Sequence, residues 1–278
     1  MKLNFIKTNP TENMTVFVVD QIPRSKYIEV AQKIMNYNSI HAEQVGFIEK
    51  SSDVNNNACV RLHMMGGEFC GNATRALAAT LAYKDHCTID KLKDKMIIPL
   101  EVSGADEIIY CEVEATNDNT RFISSATMPL HKGVESCKIE YNENIYEGTL
   151  VHFSGIIHFI VNSRRIESKE AFFLKVKEKL NDLEYDALGI MFYNEEDIYI
   201  EPLVYVRETE SLVWERGCGS GTAALGVALS HQFKKSVDVV VKQPGGELKI
   251  ITKWNGNDVE YINLKGIVEI VAEGIVHI

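Results

Sequence analysis

Glu68-Phe-Cys-Gly-Asn-Ala-Thr-Arg-Ala-Leu-Ala-Ala-Thr-Leu81 occurs twice in this chain. Laid on Cys218-Gly-Ser-Gly-Thr-Ala-Ala-Leu-Gly-Val-Ala-Leu229, it matches at Cys70/Cys218, Gly71/Gly219, Thr74/Thr222, Ala76/Ala224, Leu77/Leu225 and Leu81/Leu229. In both copies Ala and Leu recur at helical spacing straight after a Cys-Gly pair, which predicts a turn of small residues feeding an apolar helix. A helix that is apolar on nearly every side has to be buried on most of them, so a sheet wrapped around it is the expected architecture. The chain reads as a duplicated α/β (α+β) protein with one central helix in each half.

Each cysteine then opens a helix. The N–H groups of a first turn have no acceptor within the helix, and the dipole there favours negative charge, which lowers a thiol's pKa and offers a cradle for a carboxylate. A cysteine alone reads equally well as a small buried hydrophobe. Two core cysteines, however, have no packing reason to share a following Gly and a Thr four positions on, and the repeat points to chemistry.

Working outward, strand patterns fall at residues 2–7 and 14–20, at 44–49 and 58–65, and at 96–102, 107–113 and 121–126. In the second half they fall near 137–142, 149–153, 156–161, 188–193, 197–206, 211–215, 237–241, 247–253, 259–264 and 266–271. Two amphipathic helices complete the pattern. One runs over 25–37 behind a Ser25 cap with Ile28, Ala31, Ile34 and Met35 on its face; the other runs over about 167–181 with Ala171, Leu174 and Leu180. Gln243-Pro-Gly-Gly246 reads as a hairpin turn of purely structural meaning, and Asn55-Asn-Asn57 as a loop tip.

The formal charge of −10 over 278 residues argues against nucleic acid or an anionic membrane as partner, because both require a basic face. No apolar run reaches the length of a membrane span and the N-terminus lacks a signal-peptide core, so a cytoplasmic location is expected. Cys59, Cys70, Cys87, Cys111, Cys137 and Cys218 have neither CxxC spacing nor disulfide-scaffold density, which predicts reduced thiols and no zinc site.

Phe69-Cys-Gly-Asn-Ala-Thr-Arg75, Ile157-His158, Trp214-Glu-Arg-Gly217, Cys218-Gly-Ser-Gly-Thr222, Gln243-Pro-Gly-Gly246 and the closing Gly266-Ile-Val-Glu-Ile-Val-Ala-Glu-Gly274 together resemble the diaminopimelate epimerases and the wider group of cofactor-independent amino-acid racemases. Within that group, Glu43-Gln-Val-Gly-Phe-Ile-Glu49 also resembles the histidine racemases of opine-metallophore pathways. The resemblance spans the chain. It implies the diaminopimelate epimerase-like fold, with two pseudo-symmetric halves that are each a curled, mostly antiparallel sheet around a central helix. The halves would be 1–124, completed by the last strand at about 265–278, and 125–264.

It further implies Cys70 and Cys218 as paired acid/base thiols, His158 as the partner of Cys70 and Glu215 as the partner of Cys218. Asn13, Glu43, Gln44, Met64 and Arg216 are expected to contact substrate, with Gly71, Asn72, Gly219 and Ser220 around its α-carboxylate. No cofactor and no metal are expected, and the partner is a small amino acid acted on by a homodimer. The sequence departs from the epimerases where they grip the distal end of diaminopimelate. Met64 and the Ala187-Leu-Gly189 region replace asparagines there, and Cys218 follows Gly217 directly where the epimerases have an intervening segment.

The expected activity is PLP-independent racemisation at the α-carbon, with histidine the leading substrate. Diaminopimelate epimerisation is the alternative within the class. A double-bond isomerase of the same fold would lack the cysteine pair, and a non-catalytic amino-acid-binding protein would have no use for it.

Overall fold

The computed structural model describes residues 1–52, 58–85, 90–92 and 95–278. Asn55–Asn57 and Cys87 lie outside these residues. The chain divides into two compact units, Met1–Met128 with Leu264–Ile278, and Pro129–Asn263.

The first unit contains β1 (Lys2–Asn9), β2 (Thr15–Val18), α1 (Tyr27–Met35), β3 (Gln44–Glu49), β4 (Val60–Met64) and α2 (Gly71–Tyr83). It continues with β5 (Asp90–Leu92), β6 (Lys95–Val102), β7 (Ile109–Ala115) and β8 (Arg121–Thr127). The second unit contains β9 (Gly133–Tyr141), β10 (Asn144–His152), β11 (Ile156–Asn162), α3 (Lys169–Lys179), β12 (Ala187–Asn194) and β13 (Tyr199–Val206). There follow β14 (Ser211–Trp214), α4 (Gly219–Phe233), β15 (Val237–Gln243) and β16 (Gly246–Trp254), and β17 (Val259–His277) carries the chain back into the first unit.

The duplication seen in the two motifs extends to the topology. In the first unit β1 and β2 pair antiparallel, α1 leads to β3 parallel to β2, β3 and β4 pair antiparallel, and α2 leads to β6 parallel to β4. In the second, β10 and β11 pair antiparallel, α3 leads to β12 parallel to β11, β12 and β13 pair antiparallel, and α4 leads to β15 parallel to β13. Each copy then adds an antiparallel strand, β7 on β6 and β16 on β15. In the first unit β17 pairs with both β1 and β8, which closes β1, β2, β3, β4, β6, β7, β8 and β17 into a ring.

α2 packs on β6, β7 and β8 and against β1 and β2, with every residue from Gly71 to Leu81 buried. Burying side chains such as Leu77 and Leu81 stabilises the unit by about 1.5–3 kcal/mol each. α4 is enclosed in the same way by β10, β11, β12, β15 and β16, with ten residues of Ala, Leu, Val, Gly, Thr and Ser running buried from Gly221 to Ser230. A nearly all-apolar composition at helical spacing therefore forces a central position in both units, with the polar side chains of α2 satisfied internally.

The two outer helices differ from expectation in register. α1 starts at Tyr27, because Ser25 is taken up in a 3-10 turn at Arg24–Lys26 and caps nothing. Its buried face is Tyr27, Val30, Ala31 and Ile34, and Ile28 is 61% exposed. In α3 the Ser168 hydroxyl accepts from the Ala171 N–H and sets a face of Phe172, Phe173 and Val176, which leaves Leu174 outside. The two closing strands expected at 259–264 and 266–271 are one strand, since Lys265 does not break it but reaches the Glu114 carboxylate at 2.9 Å.

Candidate active site

Cys70 and Cys218 are the N-caps of α2 and α4, both in extended backbone conformation. The Cys70 sulfur accepts from the Ala73 N–H at 3.4 Å, and the Cys218 sulfur from the Gly221 N–H at 3.2 Å. The repeated threonine is explained here. Thr74 and Thr222 turn their hydroxyls back onto the carbonyls of Cys70 and Cys218, at 2.7 and 2.6 Å, and so fix the plane of each capping residue. Neither helix has an acidic residue in its first turn, so the positive end of each dipole is left for an anion.

In the first unit the expected polar residues form one connected network. The Cys70 thiol donates to the Gln44 amide oxygen at 3.1 Å. Gln44 in turn donates to Thr15 Oγ1 and to Asn13 Oδ1, which also accepts from the Asn72 side-chain amide, while Asn13 Nδ2 donates to Glu43 at 2.9 Å. Asn13 and Asn72 are buried and Glu43 is exposed, so the network runs from the core to the surface and ends on a carboxylate.

Arg75 closes the network on its inner side. Fully buried, it donates to Asn72 Oδ1, Thr11 Oγ1 and the Ile267 carbonyl. Burial lowers its pKa to about 9, and the charge that Cys70 carries when ionised opposes that shift. No role for Arg75 was legible in the sequence, where it is one more residue of an apolar helix. Met64 is fully buried in the core on α2, the filler role of a flexible thioether rather than an exposed pocket wall.

In the second unit Cys218 is buried, and burial together with the neighbouring Glu215, through its charge and a hydrogen bond, pushes the thiol's pKa well up. Ser220, whose hydroxyl lies 3.6 Å from the sulfur, and the Gly221 N–H work in the opposite direction. Arg216 is exposed and reaches the Pro244 carbonyl, while its own carbonyl accepts from the Gly245 N–H at 2.7 Å. The segment before Cys218 is thus tied to the β15–β16 turn.

That turn corrects the reading of Gln243-Pro-Gly-Gly246 as purely structural. Gln243 is buried, accepts from the Cys218 N–H at 2.7 Å and donates to Thr222 Oγ1 at 2.8 Å, so it holds the capping thiol and the threonine that orients it. The sequence signal is only a Gln next to a hairpin, because its partners come from another element.

His158 lies on β11 in the second unit, beside Gly189 in the parallel register of β12. A Cβ at 189 would stand 2.3 Å from the imidazole Nδ1, so the ring needs glycine there. Met191 fills the space between this ring and α4, since a Cβ at 189 would be 3.1 Å from its methyl and a Cβ at 221 would be 2.2 Å from its sulfur. His158 is fully buried, and among the described residues neither ring nitrogen has a hydrogen-bond partner. Burial lowers its pKa to about 3, which keeps the ring neutral at physiological pH.

Among the described residues, no helix is long and apolar enough to cross a membrane. Over 281 aligned residues, covering 99% of this chain and 97% of the relative, the sequence is 37% identical to a histidine racemase of Fusobacterium nucleatum. It is 30% identical to a histidine racemase of Staphylococcus aureus, covering 98% of this chain and 96% of that one. The fold is that of a hydroxyproline epimerase from Agrobacterium vitis, with a TM-score of 0.72 at 11% identity, covering 99% of this chain and 92% of the other. Residues 2–277 match the family described as Histidine racemase CntK N-terminal domain, and with two thiol-capped helices in a duplicated fold the chain belongs to the histidine racemase family.

Proposed function

We propose that this chain is a PLP-independent histidine racemase that moves the α-proton with two thiols, Cys70 and Cys218. One thiol, as thiolate, takes the proton from Cα, and the other gives one to the opposite face, so that L- and D-histidine interconvert without a cofactor. Removing the α-proton places negative charge on the carboxylate, and helix N-termini at Gly71, Asn72, Gly219 and Ser220 supply oriented N–H dipoles for it. The observation that carries the reading is the repetition of one device, a cysteine N-cap with a threonine hydroxyl on its carbonyl, at both central helices.

The surroundings of the two thiols differ in how far they favour ionisation. Arg75 stabilises the Cys70 thiolate once the proton held toward Gln44 has left, whereas burial and Glu215 favour the protonated thiol at Cys218. That is the arrangement of one base and one acid that a single turnover in one direction needs, and the reverse turnover starts from the exchanged state. His158, neutral and buried, acts in this reading by shaping the site and not as a charged base.

The histidine assignment rests on relatives of that activity and on the Glu43–Asn13–Gln44 network, which presents a carboxylate that an imidazole N–H can meet. We take the enzyme to be a cytoplasmic homodimer. The five described cysteines are thiols, the state a reducing compartment keeps, and two-fold homodimers are the commonest oligomers of soluble enzymes.

The test is chiral chromatography of L-histidine, other L-amino acids and LL-diaminopimelate incubated with the purified chain and with Cys70→Ala and Cys218→Ala. Racemisation of histidine that is lost in either variant is expected. Faster turnover of LL-diaminopimelate would overturn the substrate, and near wild-type rates in both variants would overturn the mechanism.

A further inference from the structure

His131, His231 and Asp258 meet on the second unit from three separate segments, the connection before β9, the last turn of α4 and the turn between β16 and β17. The Nε2 atoms of His131 and His231 stand 2.9 and 3.0 Å from the same oxygen, Asp258 Oδ1, and the three donor atoms lie within 4.8 Å of one another. The rings are nearly perpendicular, with centroids 5.4 Å apart.

We propose that these three side chains form a binding site for a divalent transition metal of the zinc class. Ligand atoms about 2.0–2.1 Å from a tetrahedral zinc lie roughly 3.3 Å apart, so the two N–O edges need to open by only a few tenths of an ångström. Two neutral imidazoles and one carboxylate oxygen suit zinc, cobalt or nickel, and are poor for magnesium or calcium, which take oxygen ligands.

A plain hydrogen-bonded cluster accounts for less. The His131 side chain is only 5% exposed, and among the described residues neither of its ring nitrogens has a hydrogen-bond partner, although Asp258 Oδ1 is 2.9 Å from Nε2. That carboxylate oxygen already accepts from the Val259 N–H at 2.7 Å and contacts His231, so it is shared among three donors. A buried imidazole nitrogen without a partner costs stability, and an ion bound to Nε2 removes that cost at Nε2. Asp258 is 47% exposed and the His231 side chain 29%, so the site opens to solvent, from which the ion enters and water completes its shell.

Bound there, the metal would join the three segments and raise the stability of the unit by mass action. The set contains no cysteine, which is why cysteine spacing in the sequence gave no sign of it.

The test uses the full chain, stripped with chelator and desalted, then titrated with zinc chloride by calorimetry and followed by thermal melting, with cobalt(II) as a spectroscopic probe. One zinc per chain, a higher melting temperature with zinc, and cobalt d–d bands without thiolate charge-transfer absorption are expected, together with a fall in affinity of more than about tenfold in His131→Ala and in Asp258→Asn. If His131→Ala fails to fold, Asp258→Asn, altered at a half-exposed carboxylate, decides alone. Absence of zinc uptake by the wild-type chain, a thiolate band with cobalt, or affinity unchanged in Asp258→Asn would each overturn the proposal.

Discussion

Replacing Gln243 by alanine should damage catalysis while leaving both Cys70 and Cys218 in place. Its side chain is buried and makes two short contacts, accepting from the Cys218 N–H at 2.7 Å and donating to Thr222 Oγ1 at 2.8 Å. Two neutral hydrogen bonds are lost and the buried Cys218 N–H is left without an acceptor, a cost of about 2–3 kcal/mol. At roughly 2–4 °C per kcal/mol for a chain of this size, the melting temperature falls by about 4–12 °C. The capping sulfur loses the group that fixes its backbone, and a displacement approaching 1 Å at a reacting atom costs roughly 10²-fold in rate. We expect kcat for histidine to fall about 10–100-fold with a much smaller change in KM, measured by chiral chromatography well below the melting transition. A folded Gln243→Ala enzyme with wild-type kcat would refute the role of Gln243 in holding Cys218.

Three further outcomes follow from the network and from burial. Arg75→Met removes the cation beside Cys70, so the thiol's pKa rises, and the pH at which Cys70 is half-alkylated by iodoacetamide in a Cys218→Ala background moves upward; an unmoved profile would show that the two charges do not interact. His158 has a folded pKa of about 3 against about 6.5 unfolded, so its contribution is complete above pH 6.5 and is lost as pH falls through that window, about 2 kcal/mol by pH 5. His158→Leu should therefore lose less stability than wild type between pH 7 and 5 in urea melts, and equal losses would contradict the burial argument. Glu43→Ala should lower kcat/KM for histidine far more than for alanine, and an equal loss on both would remove Glu43 from the side-chain pocket.

The central helices were legible because a helix apolar on nearly every side admits only a buried place, and the duplicated Cys-Gly-x-x-Thr marked both their starts. The outer helices were misregistered for a local reason. At Ser25 a capping residue sits one 3-10 turn too early, so the local pattern places Ile28 on a face that Tyr27 and Val30 occupy. The break expected at Lys265 is absent because Glu114, distant in sequence, neutralises the lysine within the sheet.

Much of the candidate site depends on such distant pairing. Asn13, Gln44 and Asn72 were singled out individually, but the bonds that connect them to Cys70 and Arg75 exist only once β2, β3 and α2 are side by side. Gln243 and its contact with Cys218 are further still from anything a local pattern encodes.

The central claim is that two thiols exchange the α-proton from opposite faces, and the most direct measurement is early-time racemisation of L-histidine in D₂O, with deuterium at Cα determined separately in recovered L-histidine and in D-histidine. The proton given to the product comes from a thiol that has equilibrated with solvent, so the account predicts deuterium in D-histidine while recovered L-histidine remains protiated. D-Histidine that keeps its original proton, or deuterium entering L-histidine ahead of inversion, would mean that a single base returns the proton and would contradict the two-thiol account.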